Sequence, residues 1–146
     1  MTTKTDYEKP IPLKTADNQP YWDAADQHEL ALQKCATCSS FIHPPGPACP
    51  TCGSPETEWQ SFGSDISATV YSYVVSNRPF LPGFQHDLPT VITVASLDAA
   101  PEVKLMANII HCDPENVQIG MPLRMTWVDI TEDRALPQWI PAADKV

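Results

Sequence analysis

A chain of 146 residues with 42% apolar side chains can build one domain, or a small module joined to a modest one, and its composition excludes wholesale disorder. Nine Lys and Arg face eighteen Asp and Glu, a net charge of −9, which counts against nucleic acid as a partner because phosphate contacts need cations. No apolar run is long enough for a bilayer, and the start "MTTKTDYEKP" lacks a signal peptide's apolar stretch, so no membrane is expected and the expected compartment is the reducing cytoplasm.

Sixteen prolines against five glycines predict rigid corners and few long helices. Residues 1–17 read as polar and extended. In "DNQPYWDAADQHEL", Asp17 or Asn18 can cap a short helix with Pro20 in its first turn, and Tyr21, Trp22, Ala25 and His28 or Glu29 fall at helical spacing. "ELALQKC" alternates and predicts a short strand leading into the first cysteine pair. Trp59 and Phe62 are the anchors of the polar stretch that follows the second pair. From Ser67 onward, "ATVYSYVVS", "TVITVASLD", "VKLMANII" and "PLRMTWVDI" are runs of strand length divided by turn-rich pieces. In "DPENVQIG", Asp113 can cap a single turn, and Gly120 supplies a bend. The tail "ALPQWIPAADKV" is too rich in proline for regular structure, although Trp139 and Ile140 call for burial.

The expected fold is therefore mainly β: an N-terminal tail and helix over 1–29, a small metal-knuckle module over 30–62, and a small OB-type Greek-key barrel with a tail over 63–146.

The motif with the most chemical content is "CATCSSFIHPPGPACPTCG". In a reducing compartment its two Cys-x-x-Cys pairs point to a metal site rather than disulfides. Cys35, Cys38, Cys49 and Cys52 would give four thiolates in a tetrahedron, the arrangement zinc prefers in structural sites; the same ligands also accept iron. Four thiolates close the shell, so the expected role is structural, and His43 within the loop finds no vacancy. Gly53 stands where a positive φ is commonly needed, and Ser39 holds that place in the first knuckle. The intervening prolines read as a stiff, exposed finger.

Other chemistry is sparse. Cys112 is left over as a small apolar residue. His111 and Cys112 are adjacent at a strand end, where alternation would turn them to opposite faces. His86 lies in the proline-rich loop "NRPFLPGFQHDLP". Arg78 and Arg124 stand out because cations are scarce, and each is able to meet a phosphate or a carboxylate. No phosphate loop, nucleophile elbow or carboxylate pair at useful spacing is present, so no catalytic residue is assigned.

The order of these features, from "YWDAADQHELALQKC" through "PP" before "CPTCGS", Trp59, "VYSY" with a following "RP", to "DPENVQIGMP", resembles the zinc-ribbon/OB-fold family long catalogued as a domain of unknown function and associated with acyl-CoA enzymes. The resemblance covers about residues 20 to 130. It implies that residues 30–62 are a rubredoxin-like zinc ribbon with one structural zinc per chain, and a hetero-oligomer with a thiolase-superfamily (lipid-transfer-type) enzyme: a thiolase, retro-aldolase or acyltransferase that itself binds most of the CoA thioester, as in steroid side-chain or aromatic degradation. In such a complex Arg78 and Arg124 would lie near CoA, and Tyr21, Trp22, Phe80, Phe84 and Trp139 are candidate interface anchors. The sequence departs from the family at Ser39, usually glycine, and in "HPPGPACP", where a basic residue often follows the prolines. The second departure counts against a phosphate contact from the ribbon loop. Two other readings are a single-strand nucleic-acid binder and a stand-alone acyl-CoA enzyme using Arg78 and His86.

Overall fold

A computed structural model describes residues 7–142. Among them the elements run as helix α1 (Gln19–Asp26), strands β1 (Leu30–Cys35), β2 (Phe41–Ile42), β3 (Thr57–Gly63), β4 (Ser67–Ser76), β5 (Thr90–Leu97) and β6 (Lys104–Ile109), a 3-10 turn at Pro114–Asn116, then β7 (Pro122–Asp129) and β8 (Ala135–Pro141). β1 is the middle strand of an antiparallel sheet in the order β2-β1-β3, and the other strands close into a barrel in the order β4-β5-β6-β8-β7. This is the expected architecture, a small ribbon sheet followed by a five-stranded Greek-key barrel of the OB type.

Helix α1 starts where expected, with Asn18 in the cap position and Pro20 in the first turn, where a missing N–H is tolerated. The Asn18 side chain points backwards, however. It accepts from Thr15 N at 2.7 Å and donates to Leu13 O at 3.3 Å, so it secures the chain before the helix rather than the helix's own N–H groups. The helix ends before His28, whose φ of 62° is left-handed. Tyr21 and Ala25, one turn apart, are buried, and Trp22 meets Tyr21 edge-on at 5.0 Å.

The barrel interior follows period-two alternation. Along β5, Val91, Thr93, Ala95 and Leu97 point inward. They pack with Ala68, Val70, Leu105, Ile109, Leu123, Met125 and Trp139 in one core that also takes in Tyr21, Leu30 and Leu32. Buried Thr93 is satisfied by donating to Ser72 O at 2.9 Å. Trp59 and Phe62 on β3 lie against the same core, as the sequence predicts. The Asp113 carboxylate accepts from Glu115 N at 3.0 Å, and Gly120 takes a φ of 89°, so the expected capped turn and bend are both present.

One expectation fails. The proline-rich tail is not irregular: Ala135–Pro141 is strand β8, paired with β7 along its length. The reason lies in which way each backbone group points. Trp139 O accepts from Ile110 N on the β6 side, while Ala142 N donates to Pro122 O on the β7 side. Odd-numbered residues therefore turn away from β7, and Pro137 and Pro141 are both odd. On that side β6 meets β8 only at Ile109 and Trp139, so neither proline removes a ladder bond.

The segment before α1 lies against the body. Lys9 pairs with Asp87, and its ammonium lies 5.0 Å from the Phe84 ring centre. Gly83, at a φ of 94°, allows this crossing, because a Cβ there would stand 2.8 Å from backbone atoms of Glu8 and Lys9. Farther along, Pro12 O accepts from Arg134 Nη2 at 2.9 Å.

Asp26 ties three parts of the chain. Its Oδ1 accepts from Ala135 N at 3.1 Å and Arg134 Nε at 3.3 Å, and its Oδ2 lies 2.8 Å from Lys14 Nζ. Burial alone would raise this carboxyl, but the Lys14 ammonium, the Ala135 N–H and Arg134 outweigh it and hold the group below its ordinary 3.8.

A depressed carboxyl contributes stability that is complete above 3.8 and fades as pH falls through the folded-state value. Asp26→Asn is accordingly expected to cost about 2 kcal/mol at neutral pH, with the deficit shrinking as acid protonates the wild-type group. Urea denaturation of both proteins at neutral pH and well below the ordinary carboxyl value measures this. Gly83→Ala is expected to lower stability by about 2 kcal/mol by expelling residues 8 and 9 from the loop, read as a fall in melting temperature.

Candidate functional site

The four knuckle cysteines converge. Their Sγ atoms all lie within 4.8 Å of one another, with Cys35–Cys52 and Cys38–Cys49 each at 3.6 Å. An ion held by four sulfurs at about 2.3 Å requires sulfur–sulfur edges of about 3.8 Å, so the two short edges are close to those of a tetrahedral metal site and the four donors are gathered as one requires.

Its geometry comes from two knuckles with one bonding pattern. Cys35 N donates to Ser40 O and Ser39 N to Cys35 O; Cys49 N donates to Ser54 O and Gly53 N to Cys49 O. The third bond of the set runs to sulfur: Thr37 N and Cys38 N reach Cys35 Sγ, and Thr51 N reaches Cys49 Sγ, each at 3.4 Å. Gly53 takes a φ of 80°, and Ser39 adopts 65° despite its side chain. The Thr37 and Ser54 hydroxyls, 2.9 Å apart, join the two turns.

These donors favour thiolate at Cys35 and Cys38, whereas the neighbouring sulfurs push Cys52 up to about 11. The Ser40 hydroxyl, 3.2 Å from Cys38 Sγ, and the Ser40 N–H bring that thiol down to about 6. The bonds to the Cys38 and Thr37 N–H groups likewise lower Cys35. Cys35 and Cys49 are buried while Cys38 and Cys52 reach the surface. Four sulfurs around one point leave no fifth side chain to open the shell, and His43 is not among them.

The proline finger between the pairs is stiff but anchored. Buried Gln33 on β1 donates to Gly46 O at 2.8 Å and accepts from Gly46 N at 2.9 Å, holding the loop's backbone as a strand would. His43 turns inward to within 5.6 Å of the Tyr21 ring, and burial lowers its pKa. A cavity of about 400 Å³ lies between this loop, α1 and the gap between β6 and β8, lined by Trp22, Pro44, Pro45, Met106 and Pro137.

The other sequence candidates scatter. Tyr21 and Trp139 are core residues, the latter with 0% exposure, so neither is free to anchor an interface. Trp22 is half-buried, with the Arg134 guanidinium 5.8 Å from its ring centre. Phe84 lies under Lys9, while Phe80 is 82% exposed. Arg124 pairs with Ser67 at the start of β4, whereas Arg78 lies just beyond its end. That places them at opposite ends of the ten-residue β4, about 30 Å of strand at 3.3 Å per residue, rather than side by side. Arg124 faces Asp65 at 3.6 Å.

His111 and Cys112 need a second correction. The strand ends at Ile109, and His111 has a φ of 56°, so alternation does not govern them. Both line a cavity of about 300 Å³ with Lys9, Asp87 and Asn108. Among the described residues no hydrogen bond joins the two side chains; the Cys112 thiol points to Asp113 O at 3.4 Å. Burial and the Asp113 charge raise that thiol, the opposite of an activated nucleophile. His86 is exposed, with Gln85 3.5 Å away, and does not line this cavity.

No helix among the described residues is long and apolar enough to cross a membrane.

Comparison with known proteins agrees with this geometry. Residues 22–58 match a family model described as the ChsH2 rubredoxin-like zinc ribbon domain, and residues 64–128 match the ChsH2 C-terminal OB-fold domain. A probable enoyl-CoA hydratase alpha subunit of Thermomonospora curvata is 34% identical across 92% of this chain, and the 3-oxo-4,17-pregnadiene-20-carboxyl-CoA hydratase alpha subunit of Mycobacterium tuberculosis is 33% identical across 89%. The chain spans 40% and 39% of those two proteins. A DUF35 domain-containing scaffold protein of Methanocaldococcus jannaschii is 30% identical over 68% of each chain. Among solved structures, a chain of the Ltp2-ChsH2(DUF35) aldolase superposes with a TM-score of 0.78 at 34% identity, over 91% of this chain and 100% of that one. With four sulfurs gathered in the ribbon and a closed barrel behind it, the chain belongs to the ChsH2/DUF35 family of zinc-ribbon and OB-fold proteins.

Proposed function

We propose that this chain is a non-catalytic accessory subunit of a thiolase-superfamily enzyme that cleaves or forms carbon–carbon bonds in CoA thioesters, acting in the cytoplasm. It stabilises the larger subunit and shapes its substrate channel, while the larger subunit binds most of the CoA and supplies the reacting groups. Residues 30–62 act as a ribbon carrying one structural zinc on Cys35, Cys38, Cys49 and Cys52, and the barrel from residue 63 presents the docking surfaces.

The observation that carries this reading is the superposition on a chain of the Ltp2-ChsH2(DUF35) aldolase over that chain's whole length. Two features of the molecule support it. The metal cluster fits a closed shell of four sulfurs, with no open position for substrate. In the cavity that gathers a thiol, an imidazole and a carboxylate, burial and the Asp113 charge raise the Cys112 thiol rather than activate it.

Co-expression with a thiolase-superfamily subunit encoded beside it is expected to yield a hetero-oligomer on size exclusion, with turnover of CoA thioesters by the complex and none by this chain alone. Turnover by the isolated chain, or failure to form any complex, overturns the reading.

The purified chain is expected to be colourless and to carry about one zinc, by metal analysis; a red protein with an iron–thiolate spectrum would reverse the assignment. Thiolates must be deprotonated to hold the ion, so acidification with a chelator is expected to strip it. The melting temperature should then fall by about 10 °C or more.

A further inference from the structure

We infer that the outward face of β4, β5 and β6, together with the Phe80–Leu81 loop beside it, is the surface on which the larger subunit docks, and that this subunit presents there an apolar patch rimmed by carboxylates. The inference rests on the accessory-subunit reading and says where and by what chemistry the contact is made.

Register defines the face. Inward Val91, Thr93, Ala95 and Leu97 leave Ile92, Val94 and Ser96 pointing outward from β5. Their partners across the sheet are Val74 and Ser72 on β4, and Asn108, Met106 and Lys104 on β6. An outward barrel face in water is ordinarily polar. Here Val74 is 60% exposed and Met106 67%, with half-buried Ile92 and Val94 between them. At one end of the face Phe80 and Leu81 stand out of the loop after β4, and with Leu88 and Ile92 they line an apolar pocket of about 170 Å³. At the other end is Tyr71, also 60% exposed, with Lys104 Nζ 5.0 Å from its ring centre. A continuous apolar surface with a pocket sized for one side chain is the form of an interface core.

Charge selects the occupant. The ten residues of β4, eight of β5 and six of β6 include no Asp or Glu, in a chain that carries eighteen. The carboxylates that flank these strands lie outside them: Asp87 and Asp98 beyond the two ends of β5, bonded to Lys9 and to the Thr69 hydroxyl, Asp65 before β4, facing Arg124, and Glu102 before β6. The cations at the margin, Arg78 and Lys104, pair with no carboxylate among the described residues. A second copy of this chain would bring the same carboxylate-free face against itself and leave those cations unmatched. A different protein with an acidic rim satisfies both the apolar centre and the basic margin. Nucleic acid is the poorer fit: the rings and cations, Tyr71 with Lys104 and Phe80 with Arg78, stand apart at the two ends, while the centre, where bases would stack along an OB-fold, holds Val74, Ile92, Val94 and Met106.

The test uses the full chain and its thiolase-superfamily partner, with affinity measured by titration calorimetry and fold checked by melting temperature and zinc content. Met106→Glu and Val74→Glu, each burying a charge in the contact, are expected to weaken association by about 30-fold or more. Ile119→Glu, at an exposed apolar residue off these strands, should change it by less than about 3-fold. If the wild-type complex forms and the two face variants bind as tightly as wild type, or Ile119→Glu weakens binding equally, the docking face is wrong while the accessory reading stands. If the wild-type proteins do not associate, the accessory reading itself fails, and this inference with it. If the isolated chain is a dimer that Val74→Glu dissociates, the occupant is a second copy and the inference is overturned.

Discussion

The barrel is held closed at one point by one large ring. β6 and β8 share the single register pair Ile109–Trp139, and Trp139 has no exposed surface. On either side of that pair the strands separate, and the gap this leaves shapes the rest of the molecule. It gives Pro137 and Pro141 positions in a strand that would otherwise reject them. Gln138 reaches across it, accepting from Asn108 N at 2.8 Å as a missing strand would. Over its mouth lie α1 and the His43–Pro45 loop, with Tyr21 contributing to the same core as Trp139. Helix, ribbon and barrel are thus united by the need to cover one seam.

Much of this was legible in the sequence because its strongest signals are local. Alternation in "TVITVASLD" marks β5, and a cysteine spacing of two residues leaves little freedom to a knuckle. The Asp113 cap and the bend at Gly120 likewise depend on residues a few positions apart. What was hidden depends on partners distant in the chain. Proline reads as a strand breaker until it is known that β6 diverges from β8. The buried Gln33 looks like any polar strand residue until Gly46 folds back to meet it. Tyr21 and Trp139 carry the chemistry of interface anchors, and only packing showed that they belong to the core. His111 and Cys112 were placed on opposite faces by a rule that ends where the strand ends.

The distribution of charge separates two kinds of surface. Apart from the buried Asp26, the acidic residues among those described lie mostly on the helix, the turns and the ends of strands, where water covers them. The outward face of β4, β5 and β6 has none, and its exposed Val74 and Met106 carry a hydration cost that nothing among the described residues removes. The metal cluster is the reverse case, closed around its own four sulfurs. The most reactive-looking motif in the sequence is thus satisfied internally, while the least remarkable residues, valine and methionine on a sheet, are those left without partners.

Strand β1 joins these two halves. Leu30 and Leu32 belong to the barrel's core, and three residues beyond Leu32 the same strand ends in Cys35 and the metal cluster. The ribbon is therefore not a detachable finger appended to an independent barrel. A shorter protein without this strand would lose Leu30 and Leu32 from the barrel's core, and one that kept the strand without the cysteines would lose what fixes its end. A graft that moves one module to a new scaffold therefore has to carry the other.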